Sequence, residues 1–75
     1  MMANQQLQNI SDFCIVLGAD VRYNPEYRHL IVLAWENEGE QRAHAIQQQI
    51  LRQTVKYPGL VCYCFDAFST LVYAL

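Results

Sequence analysis

Residues 36–55, ENEGEQRAHAIQQQILRQTV, carry the longest helical periodicity in the chain. Ala43, Ile46, Ile50, Leu51 and Val55 recur at spacings that place them along one side of a 3.6-residue helix, with Gln, Arg and Glu opposite. Glu38 and Glu40 suit the positive end of the helix dipole, and Arg52 and Lys56 suit the negative end. Pro58-Gly59 then stops the helix. Asn37 is the expected N-cap, with Glu40 three positions on in capping-box spacing, although Gly39 in the first turn counts against it. The helix lies between the two most apolar runs, residues 29–35 and 60–65, and so predicts sheet on either side of it.

With 75 residues the chain reads as one domain, residues 1–75. A domain of this size buries only roughly 60% of the surface its unfolded chain exposes. Its residues are 53% hydrophobic and 16% charged, more apolar material than so small a globule readily hides. Small domains meet that problem with disulfides, metals or association, and association is the reading adopted. A net charge of −2 leaves no basic footprint for a phosphate backbone, so nucleic acid is disfavoured as a partner.

Cys14, Cys62 and Cys64 leave one cysteine over in any disulfide scheme. On a strand, Cys62 and Cys64 stand roughly 7 Å apart along the same face, too far to bridge without distortion. A reduced, intracellular chain is expected. The opening Met1-Met2-Ala3-Asn4-Gln5-Gln6 shows no basic region leading an apolar one, and no apolar run nears the roughly 20 residues that span a bilayer. The expectation is a soluble, cytoplasmic protein with no membrane segment.

Outward from the helix, residues 1–6 are polar and expected to fray. Leu7, Ile10, Cys14 and Leu17 fit a helix face, while residues 13–17 also form a continuous apolar run. The preferred reading is a short helix over residues 5–12 and a strand over 13–23 bent at Gly18. Its rival is a helix to Leu17 capped by Gly18. Asn24-Pro25-Glu26 is a turn, which makes residues 27–35 the second arm of a hairpin. In residues 60–65 both faces are apolar, predicting an inner strand, and residues 70–75 read as a last strand in preference to a helix capped by Asp66. The sum is an α+β domain, a ββαββ-like antiparallel sheet with one long amphipathic helix on one face and a possible short N-terminal helix. One sheet face is left without cover.

Chemistry is sparse. Zinc would need Cys62 and Cys64 to meet His44 and either Cys14 or His29, whereas structural zinc favours turn-borne pairs. Every cysteine is flanked by apolar residues, which suits a small hydrophobe better than a nucleophile. Glu36, Glu38, Glu40 and Asp66 sit at element ends where carboxylates are ordinary. The three glycines are scattered singly, so no phosphate loop is formed. No catalytic, cofactor-binding or metal-ligating residue is assigned, and the chain is read as a non-enzyme without cofactors.

Two groups remain as candidate partner-binding residues. Arg22, Tyr23, Tyr27 and Arg28 flank the Asn24-Pro25 turn in a Tyr/Arg-rich tip, and Glu36, Glu38 and Glu40 form an acidic cluster at the helix entry. The functional expectation is a small intracellular interaction module, an inhibitor or adaptor of the kind a phage or mobile element encodes, self-associating through a sheet face or edge strand. The alternative is a homodimeric regulatory domain holding a small ligand between subunits.

Overall fold

The computed structural model describes residues 2–75 and, of Met2, Ala3 and Glu36, the backbone alone. The elements are α1 (Met2–Val16), β1 (Asp20–Asn24), β2 (His29–Leu33), a 3-10 turn at Glu36–Glu38, α2 (Glu40–Thr54), β3 (Leu60–Cys64) and β4 (Ser69–Ala74). The domain is α+β: two hairpins joined by α2 form one antiparallel sheet of order β1-β2-β4-β3. An α-helix is about 10 Å wide, two strand spacings of about 4.8 Å, so a helix crossing the sheet delivers the chain one position beyond its neighbour. β4 fills the vacant place. The run 60–65, expected to be an inner strand, is therefore an edge, and the last strand is internal.

Both helices pack on the same face. Leu7, Ile10 and Cys14 from α1 and Ala43, Ile46 and Ile50 from α2 join Leu30, Val32, Leu60 and Val72 of the sheet in one core. Alternation puts these strand residues on one side, since Leu30 lies between Tyr23 and Val72, and Val32 between Val21 and Thr70.

The N-terminal third departs from the preferred expectation. α1 equals α2 in length, at 15 residues, and runs through the segment expected to become a strand. It ends in a Schellman motif: the N–H of Gly18 donates to the Ile15 carbonyl at 3.0 Å, and that of Ala19 to the Cys14 carbonyl at 3.1 Å. Gly18 supplies the required left-handed backbone at φ 90°. Buried Cys14 and Ala19 form the apolar contact that accompanies this cap. The opening residues, expected to fray, are helical from Met2, and the Tyr23 hydroxyl holds this end by donating to the Asn4 carbonyl at 3.1 Å.

The start of α2 also differs. Gly39, not Asn37, is the N-cap, with no side-chain capping bond. The buried stripe is Ala43, Ile46, Gln47, Ile50 and Thr54, rotated from the expected one. Gln47 and Thr54 tolerate burial because each finds a carbonyl: Gln47 Nε2 donates to Asp66 O at 2.7 Å and Thr54 Oγ1 to Ile50 O at 2.8 Å. Leu51 and Val55 are thereby displaced to the helix flank above β3.

The first hairpin turns where expected. Asn24 Oδ1 accepts the N–H groups of Glu26 at 2.9 Å and Tyr27 at 3.2 Å, and Arg28 closes the loop at φ 55°. Its second arm is shorter than the expected 27–35. At the second hairpin Asp66 Oδ1 accepts the Phe68 N–H at 2.7 Å, so this carboxylate shapes a turn and caps no helix.

Candidate protein-binding surface

With both helices on one face, the other face of the sheet is left open. The register arranges it in rows: Arg22, Ile31, Leu71 and Tyr63 in one; Asn24, His29, Tyr73 and Val61 in the next; Asp20, Leu33 and Ser69 in a third. Phe65 extends the third row, donating its N–H to Ser69 O at 2.9 Å. Tyr63 and Phe65 meet edge to face with centroids 5.4 Å apart, and more than half of each remains exposed. Among the described residues of this face ionic groups lie only along β1, where Asp20 and Arg22 approach to 3.8 Å, so its middle is apolar.

The seven residues expected to bind a partner do not form one site. Arg22 and Tyr27 belong to the margin of the open face; Tyr27 is 72% exposed and stacks on His29 at 5.7 Å, widening the apolar surface at the hairpin end. Tyr23 points to the opposite side and packs against the core. Arg28 shapes the turn, and its carbonyl accepts the Ala74 N–H at 2.9 Å. Glu38 and Glu40 lie beyond the far end of β2, where Glu38 meets Arg42 at 3.8 Å one helical turn on. The side chain of Glu36 lies outside the described residues.

Residue-by-residue reading missed Ile31, Leu33, Leu71, Tyr73, Val61 and Phe65 as one surface. The signal was present, because residues 29–35 and 60–65 are apolar at both odd and even positions. Strand order was needed to place them side by side.

The cysteines do not assemble with the histidines. His29 faces the open side, His44 is exposed on α2, and Cys62 and Cys64 point to the helix side. Among the described residues no group of three or more His, Cys, Asp or Glu side chains is placed to hold a metal ion. Burial, with a smaller contribution from nearby Cys62, pushes the Cys14 thiol up to about 12; burial, then nearby Cys64, pushes Cys62 up to about 11. Neither thiol supplies thiolate at neutral pH. Two open grooves of about 320 Å³ flank α2: an apolar one beside β3, and one lined by Glu40, Gln41, His44, Gln47 and Ala67. Among the described residues no helix is long and apolar enough to cross a membrane.

Fold and surface together define a small two-layer α+β domain with one sheet face uncovered. Comparison with protein-family models, curated proteins and solved structures found no match.

Proposed function

We propose that this chain is a non-catalytic intracellular protein-interaction module, an inhibitor or adaptor, that lays the open face of its sheet over a site on another protein. The observation that carries the reading is the placing of both helices on one side, which leaves Ile31, Leu71, Tyr63 and Phe65 on a face that no other described element covers, the two aromatics more than half exposed. A contiguous apolar patch rimmed by polar groups is the mark of an interaction surface. Its tyrosines supply apolar area with a polar tip, which suits a contact that must also survive in water. The partner offers a flat, uncharged surface in return, because a buried unpaired charge there would oppose binding.

The test compares a tagged chain with its Ile31→Lys and Gln48→Lys variants in capture from lysate of the source cell. One stoichiometric protein retained by the parent and by Gln48→Lys, on the exposed side of α2, and lost from Ile31→Lys supports the proposal. The same proteins on all three chains overturn it. The alternative, a homodimeric regulatory domain, draws on the apolar groove beside β3, whose volume of about 320 Å³ is at the small end for ligand sites. A small ligand held there would raise the melting temperature with concentration, without any second protein.

A further inference from the structure

The two edges of the sheet are built differently. β1 is guarded by charge: it carries Asp20 and Arg22. β3, Leu-Val-Cys-Tyr-Cys, carries no charge and no proline. Such an unguarded edge is a template for another strand, and natural sheets seldom leave one open.

Its hydrogen-bonding pattern follows from two backbone bonds at its ends. Phe65 N–H donates to Ser69 O and Leu75 N–H to Gly59 O, both at 2.9 Å. In an antiparallel ladder the residues bonded to a given neighbour alternate, so Gly59, Val61, Tyr63 and Phe65 face β4. Leu60, Cys62 and Cys64 turn their backbone groups to the open edge. The Leu60 N–H is met by Tyr57 O at 2.9 Å, so the free groups are concentrated at Cys62 and Cys64. Above this edge runs the apolar groove of about 320 Å³, lined among others by Leu51, Val55, Tyr57 and Pro58, with Val55 81% exposed.

We propose that a second copy of this chain occupies the edge, β3 pairing antiparallel with β3 about a twofold axis while the α2 flanks close over the seam. The uncharged groove disfavours a charged segment, which would lose hydration and gain no counter-charge. β3 itself has the matching character. Antiparallel pairing sets Val61 and Tyr63 beside the same residues of the second copy on the open face. It sets the cysteines together on the helix side and satisfies the free groups of both strands. The contact spans about 17 Å by about 20 Å, one strand length by the depth of a sheet and a helix. That footprint, about 340 Å² per copy, is under half of the roughly 800 Å² per partner of a standard interface, so the dimer is weak and reversible. This site is separate from the open face, and pairing joins two open faces into one surface of twice the width.

The experiment is sedimentation equilibrium of the full chain under reductant, from about 1 μM to about 1 mM, with amide exchange at both ends of the range. A monomer–dimer equilibrium is expected, with the Cys62 and Cys64 amides becoming protected as concentration rises. Cys64→Pro removes an edge donor that the monomer does not use, and Val55→Lys puts a charge in the groove. Each should weaken the dimer at least tenfold while the circular dichroism spectrum is retained. Ile31→Lys should leave the dimer unchanged, which separates failure of this assignment from failure of the open-face reading. A chain monomeric throughout overturns the assignment. So does a dimer indifferent to both edge variants, or protection of these amides that appears only when a different protein is added.

Discussion

Ile50 has no solvent-exposed surface and sits where α2 meets the sheet. Ile50→Asp would bury a charge without a partner, a penalty comparable to the whole stability of so small a domain. The expected result is loss of the cooperative unfolding transition, read by circular dichroism against urea. Tyr27 makes the opposite case: it is largely exposed and touches the fold through its stack on His29. Tyr27→Ala should leave the urea midpoint within about 0.5 kcal/mol of the parent and weaken partner binding, measured by calorimetry once the partner is in hand. The buried thiols set an alkaline limit. Well below 9.0 they are protonated in both folded and unfolded chains, and stability does not depend on them. Above it the unfolded chain releases protons that the folded chain keeps, so stability falls as pH rises towards about 11 for Cys62 and about 12 for Cys14. The urea midpoint should therefore decline more steeply above pH 9.0 in the parent than in Cys14→Ala.

At the scale of elements, the cap of α1 is the sharpest case. Gly18 holds φ 90°, and a methyl group added there meets nothing within 4 Å, so any penalty on Gly18→Ala is conformational, not steric. A loss of about 1 kcal/mol in denaturant unfolding is expected. Gly59 has equal room and no left-handed backbone, and Gly59→Ala should be neutral or slightly stabilising. The same Gly18 separates the two readings of the N-terminal third: the rival helix to Leu17 capped by Gly18 is the one the chain adopts, and the preferred strand over 13–23 is not. Residues 13–17 are apolar at every position, and period alone does not separate a buried strand from a helix. What decided it was Gly18 as a terminator and a face of Leu7, Ile10 and Cys14 that a second helix and the sheet could both cover. α2 was legible from its period, but its stripe turned toward Gln47 and Thr54. Carbonyls from Asp66 and Ile50 satisfied these side chains, a compensation that lies outside any local pattern.

For the whole molecule, asymmetry is the governing feature: two helices on one face, an apolar face opposite, and one guarded edge facing away from one unguarded edge. The open face and the β3 edge predict different failures. Ile31→Lys should abolish partner capture and spare self-association, whereas Cys64→Pro should do the reverse, so the two variants assayed together assign each surface. The sequence by itself determined the α+β class, the central helix, the turn at Asn24-Pro25 and the surplus of apolar residues, because periodicity, turn chemistry and composition are local or additive properties. Only the tertiary structure decided which strand became an edge, that α1 shares the face of α2, and that Tyr23 rather than Arg22 faces the helices. Those outcomes depend on which surfaces meet across long stretches of chain, and every apolar residue is equally ready to be buried until the packing chooses its neighbour.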